Sequence, residues 1–173
     1  MRPLLQSLSY LTFVIILNGV AEAYTLNSIE TLRFSQRDAE NLGSLAQSTS
    51  TSASLIEADQ LYQQGTQQFN AKQYQMAVES WQAALNIYKR LDNRENQIDT
   101  LNKLGKLFRT TREFQTAFDL HQQALDIAEE VDDQRRIGST LSELGILSAI
   151  SGQYSQAIDF YQRSLEITQG IEN

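Results

Sequence analysis

Six columns of this sequence recur at an interval of 40 residues, and that register restricts the fold more than any other feature. Gly65, Gly105 and Gly145 keep it, as do Tyr74, Phe114 and Tyr154, and then Ala77, Ala117 and Ala157. The sets Trp81/His121/Tyr161, Leu85/Leu125/Leu165 and Ile87/Ile127/Ile167 follow in phase. A fixed period of this size marks a stacked array, in which each unit buries its apolar face against the next. The array runs from Ala58 to the C-terminus and divides into units 58–92, 93–132 and 133–173.

Within a unit the apolar spacing is helical. Leu101, Leu104, Gly105 and Phe108 fall at i, i+3, i+4 and i+7, one face at 3.6 residues per turn. Phe114, Ala117, Phe118, His121, Ala124, Leu125 and Ile127 repeat that pattern in the following segment. Each unit is therefore a helical hairpin, helix A then helix B, and a single proline and abundant Gln, Leu, Ala and Glu agree with an all-α chain. The A-to-B connections 70–73, 110–113 and 151–153 are short, which forces antiparallel neighbours. Asp92-Asn93 and Asp132-Asp133 stand at the B-to-A turns, where they are expected to cap the next helix, and Glu172-Asn173 falls at the same phase. The three glycines lie mid-helix, where each costs about 1 kcal/mol against alanine, so a steric need must retain them. The expectation is that Ala77, Ala117 and Ala157 of helix B cross there, while Tyr74, Phe114 and Tyr154 plug the space near the turn.

Leu104-Gly105 and Leu144-Gly145, the turn aromatics, the helix-B alanines, and Ala84-Leu85 and Ala124-Leu125 together make the chain resemble the tetratricopeptide repeat family over residues 58–173. Gln64 replaces the leucine before the first glycine, Ser164 replaces an alanine in the third unit, and the period is 40 rather than about 34. The longer period is similar to the long-helix subtype of kinesin light chains, Leu-Gly-Asn-type adaptors and bacterial and cyanobacterial repeat proteins. The resemblance implies a right-handed α-solenoid of three helix-turn-helix repeats that binds protein partners. In some relatives of that kind such arrays precede a caspase-like protease domain, so the alternative is a regulatory, partner-binding part of a larger enzyme.

Residues 1–23 read as a secretory signal peptide. Arg2 supplies the positive start, Leu11 to Leu17 the apolar run and Ala21-Glu22-Ala23 a small-x-small cleavage site, so the mature chain is expected to begin at Tyr24. The competing reading is an uncleaved anchor from Leu4 to Val20. Either places the repeats outside the cytoplasm, secreted or periplasmic in the cell envelope, with no membrane association beyond the signal. Residues 24–57 are expected to be a flexible tether with one short helix, because Ser44 to Ser54 is a Ser/Thr/Ala tract with little to bury.

Enzymatic chemistry finds little support. There is no cysteine and only one histidine, which removes thiolate metal sites, a cysteine nucleophile and paired-histidine relays. His121 shares its column with Trp81 and Tyr161 and is expected in the core. Glu129-Glu130 and Asp132-Asp133 fall at a helix end, where acidic residues serve the helix rather than a metal. No phosphate loop or nucleophile elbow is present, so no cofactor and no catalytic residue is expected. The net charge of −7 argues against nucleic acid as a partner.

What remains is the surface of the A helices, which in stacked hairpins line a concave groove. Stepping 100° per residue places Tyr62, Thr66 and Phe69 in it from the first unit, beside Asp59. Asn102, Lys106 and Arg109, beside Asp99, come from the second, and Ser142, Ile146 and Ala149, beside Ser139, from the third. This groove would be aromatic at one end, cationic in the middle and apolar at the other, suited to an extended peptide whose apolar side chains flank a carboxylate. The paired Asn and Lys/Arg pattern of the family's carboxylate clamp does not recur on successive A helices. At the C-terminal end Phe160, Ile167 and Ile171 are expected to face water. Either two chains form a homodimer through that uncapped helix, or the sequence is part of a longer array.

Overall fold

The computed structural model describes the backbone of residues 27–172 and the side chains of residues 38–171. The signal-peptide reading lies outside the described residues. Six helices make up the rest: α1 (Asn27–Asn70), α2 (Tyr74–Arg90), α3 (Arg94–Thr110), α4 (Phe114–Glu130), α5 (Gln134–Ile150) and α6 (Tyr154–Glu172). No strand occurs among the described residues, and no helix there is long and apolar enough to cross a membrane. Two compact units divide the chain, Met1–Ser50 and Thr51–Asn173.

The Ser/Thr tract corrects the expectation of an irregular tether, because residues 44–54 are helical. Hydroxyls that would compete with a helix instead turn back onto it. Ser44 donates to the Asn41 carbonyl at 2.8 Å, and Ser48 and Thr49 donate to those of Leu45 and Ala46 at 2.9 Å.

In the second unit the three expected hairpins are present, α1 with α2, α3 with α4, and α5 with α6. Every junction uses one backbone device. Lys72, Asp92, Arg112, Asp132 and Gly152 are spaced by 20 residues, and each has positive φ, between 52° and 76°. At each, the next residue's N–H reaches a carbonyl five residues back, as Gln73 does to Gln68 at 2.8 Å and Asn93 to Tyr88 at 2.9 Å. That left-handed cap satisfies the carbonyls a helix end leaves open. Asp92 and Asp132 are thus C-terminal turn residues, not the expected caps. Only the second residue of each pair caps the following helix, Asn93 accepting from the Asn96 N–H at 3.1 Å and Asp133 from the Arg136 N–H at 3.0 Å.

The glycines do have a steric reason, but the partner differs from the expected alanines. A methyl group built on Gly65 would sit 2.6 Å from Trp81 Cδ1, one on Gly105 2.5 Å from His121 Nε2, and one on Gly145 2.7 Å from Tyr161 Cε1. The ring of helix B therefore lies flat on the glycine of its own helix A, and the two columns are one contact. Ala77, Ala117 and Ala157 are buried separately. Trp81 is fixed by a hydrogen bond from Nε1 to the Tyr62 carbonyl at 3.0 Å. Ser164, the departure in the third unit, is also buried and donates to the Gly138 carbonyl at 2.7 Å, so its hydroxyl is satisfied.

Burial fades along the array. Trp81 and His121 are 1% and 0% exposed, whereas Tyr161 in the same column is 41% exposed. Tyr74 and Phe114 are half-buried at their turns, but Tyr154 is exposed and plugs nothing. Phe160 and Ile167, expected to face water, pack inward instead. Phe160 meets Phe118 with ring centroids 6.2 Å apart, and Ile167 lies over Gly138.

Candidate functional site

The A-type helices α1, α3 and α5 share an open cleft of about 230 Å³, lined by Tyr62, Asp99, Asn102, Lys103, Lys106, Ser139 and Glu143. Stacking produces it: residues one helical turn beside the packing stripe of each A helix come side by side when the hairpins repeat.

Of the expected groove residues, Tyr62, Asn102 and Lys106 reach this cleft together with Asp99 and Ser139. The others point elsewhere. Phe69 belongs to the core, its ring centroid 5.7 Å from that of Tyr74 and 5.8 Å from that of Trp81. Thr66 donates its hydroxyl to the Tyr62 carbonyl at 3.0 Å. Ser142 is bonded at 2.8 Å to Ser164, in the α5–α6 seam. Ile146 and Ala149 are half-buried and lie outside the lining. Neither the aromatic end nor the apolar end forms as expected.

Two lining residues, Lys103 and Glu143, escape a search confined to the stripe's nearest flank. They share a column at the 40-residue interval, with Gln63 in the first unit, and following that column would have found both.

Asn102 faces the cleft but spends its amide inward. Its Oδ1 is 2.8 Å from His121 Nδ1, and its Nδ2 donates to Thr140 Oγ1 at 2.9 Å. His121 is fully buried, and burial, aided by the positive charge of Arg109, pushes its pKa down to about 4. The ring is therefore neutral at pH 7. Its Nε2 has no hydrogen-bond partner, since it rests against Gly105.

Charges at the cleft are sorted rather than uniformly cationic. Arg136 grips Asp99 with two hydrogen bonds of 2.9 and 2.8 Å and also binds Asp133. The hydrogen bonds that Arg136 donates to Asp99 hold its pKa above the ordinary value. Burial opposes ionisation of Asp133, but hydrogen bonds from the Arg136 backbone and guanidinium hold its carboxyl below the usual range. Burial, with the neighbouring Asp99 carboxylate, pushes the Tyr62 phenol up, so it stays neutral. Arg109, expected to be a free cation, lies 3.5 Å from Glu143, close enough to neutralise it without an aligned hydrogen bond. Lys103 and Lys106 are different, for neither ammonium has an ion-pair partner among the described residues.

Residues 57–130 and 111–170 match the tetratricopeptide repeat family. That stretch covers well over half of the chain, and with the hairpin array it places this protein in the tetratricopeptide repeat family. No curated protein matches the sequence. Among solved structures, BtubC (BKLC) from P. vanneervenii superposes with a TM-score of 0.63 at 20% identity, over 67% of this chain and 48% of that one. Aspartyl phosphate phosphatase F from Bacillus subtilis gives 0.65 at 18%, over 68% and 31%. The TPR domain of Arabidopsis FLU gives 0.62 at 15%, over 69% and 98%. The chain thus spans less than half the length of the first two, and at these identities the likeness is one of fold. Repeats of this family form protein-interaction scaffolds, whose members bind protein or peptide partners.

Proposed function

We propose that the chain is a non-enzymatic adaptor of the cell envelope that holds an extended acidic segment of a protein partner in the cleft between α1, α3 and α5. Lys103 and Lys106 carry the reading. Glu143 lies against Arg109, and Asp99 shares Arg136 with Asp133 and Glu95, so the two lysines are the charges of the lining without an ion-pair partner, on a chain whose net charge is −7. A carboxylate-bearing segment is the natural guest for such a surface, and charge steering favours it over a basic one. Export rests on the N-terminal Arg2, the apolar run and Ala21-Glu22-Ala23. The exposed face of α6 favours self-association as part of the same reading, so that an assembly would offer two clefts.

The test is fluorescence anisotropy with a labelled peptide of alternating Glu and Leu, set against its Lys and Leu counterpart. Lys103→Glu combined with Lys106→Glu is expected to weaken the acidic peptide by about tenfold or more, with helicity unchanged. Added salt is expected to weaken binding to the original chain more steeply than to the variant. Equal affinity of chain and variant would contradict the cleft. A mature N-terminus at Tyr24 in an envelope fraction would support export, and an intact Met1 in the cytosolic fraction would oppose it.

A further inference from the structure

The two ion pairs at the cleft are built differently. Arg136 holds Asp99 with aligned hydrogen bonds of 2.9 and 2.8 Å, the geometry in which a guanidinium and a carboxylate satisfy each other. Arg109 and Glu143 approach only to 3.5 Å, and the atoms that face each other, Arg109 Nε and Glu143 Oε2, are buried without a hydrogen bond. Such a pair cancels charge but leaves a donor and an acceptor unmet, which is costly for groups withdrawn from water. It is also open to exchange, because each side chain keeps 27% of its surface exposed and Glu143 belongs to the cleft lining.

Arg109 continues the line of the two lysines. Lys103, Lys106 and Arg109 follow one another at three-residue intervals on α3, about 9 Å along its axis from first to last. In an extended segment, carboxylates on alternate residues point the same way about 7 Å apart. A segment whose first carboxylate meets the lysines therefore brings its next one within reach of Arg109, where Glu143 already sits.

We infer that Glu143 is a tethered competitor for the guest: its carboxylate holds the Arg109 position until a second carboxylate of the guest displaces it. The inference rests on the cleft reading and adds to it the specificity-determining residue. Displacement exchanges a misaligned contact for one that an incoming carboxylate can align, while Glu143, a long side chain at the open side of α5, turns out to water. A segment with one carboxylate meets the lysines and leaves the internal pair in place. A segment with two on alternate residues engages all three cations. Glu143 thus makes the cleft select the number and spacing of carboxylates, since a guest must outcompete an acid that is already there.

The test uses the labelled Glu and Leu peptide with the original chain and with Glu143→Gln, which keeps the size of the side chain and an oxygen that can accept from Arg109. Anisotropy is expected to show about three- to tenfold tighter binding to the variant, with helicity unchanged. In both chains the Arg109 Nε–H resonance, identified by its loss in Arg109→Lys, is expected to move downfield as the peptide is added, because a group without a hydrogen bond acquires one. Lysine-dependent binding that Glu143→Gln does not tighten would overturn the competitor and leave the cleft reading standing. Tighter binding with the Arg109 resonance unmoved would also overturn it, since Glu143 would then act by repulsion alone. A peptide that binds neither chain, or that ignores Lys103→Glu with Lys106→Glu, would overturn the cleft reading and this inference with it.

Discussion

Trp81→Ala is expected to lower the unfolding free energy by about 3–5 kcal/mol, the loss typical of deleting a fully buried large aromatic. The ring is 1% exposed, lies on Gly65, stacks within 5.8 Å of Phe69 and donates to the Tyr62 carbonyl. Removing it empties the space above a residue that has no side chain to fill it. Neighbouring helices cannot collapse into the gap without moving Phe69 and Tyr74, which are already packed against each other. Tyr161→Ala alters the same column in the third hairpin, where the ring is 41% exposed, and about 1 kcal/mol is expected there. Urea unfolding of the two variants measures both values, and comparable losses would show that the column is not graded as described.

Acidification is expected to remove about 3 kcal/mol through His121 alone. In the folded chain the imidazole pKa is pushed down to about 4 by burial and by Arg109, against about 6.5 when unfolded. The stabilisation is present in full above pH 6.5. As pH falls from 6.5 to 4 the unfolded chain takes up a proton that the folded chain refuses, so stability declines by about 1.4 kcal/mol per pH unit. Below pH 4 both states are protonated and this contribution is gone. Because His121 is the single histidine, the slope between pH 6.5 and 5, where carboxylates remain ionised, belongs to it. His121→Phe is expected to flatten that slope in urea unfolding at successive pH values, whatever its effect on stability at pH 7. A slope that persists in the variant would mean that His121 is not the titrating group.

Much of the architecture was legible because repetition gives every inference three chances to agree. The turns between helices, the antiparallel hairpins, the buried histidine and the caps at Asn93 and Asp133 follow from periodicity and turn chemistry, which are local properties. Contact partners were less legible. Gly65 needs a neighbour without room for a Cβ, yet periodicity treats Ala77 and Trp81 alike, since both recur every 40 residues, and only the crossing of α1 and α2 shows that the ring lies on the glycine. The serine-rich segment of α1 was misread because composition counts its hydroxyls as helix breakers, whereas here they bond to carbonyls one turn back.

The cleft was half legible for a similar reason. Helical stepping finds which residues leave the packing stripe, so Tyr62, Asn102 and Lys106 emerge. It cannot find which of them are engaged across helices. Asn102 is tied to His121 and Thr140, Arg109 to Glu143 and Ser142 to Ser164, each more than 18 residues away in sequence. Pairings at that distance depend on how the hairpins stack, and no single helix records them.

The packing of a ring on a glycine is the contact from which the hairpins, their stacking and hence the cleft all follow. Stability measurements on Gly65→Ala, Gly105→Ala and Gly145→Ala test it most directly. Alanine gains about 1 kcal/mol of helix propensity at each site, but at Gly65 and Gly105 the new methyl meets a fully buried ring, and overpacking of about 1–3 kcal/mol opposes the gain. At Gly145 the half-exposed Tyr161 can swing away. The account predicts that urea unfolding will show net destabilisation for the first two variants and no loss, or a gain of up to about 1 kcal/mol, for the third. Stabilisation at all three positions would contradict it.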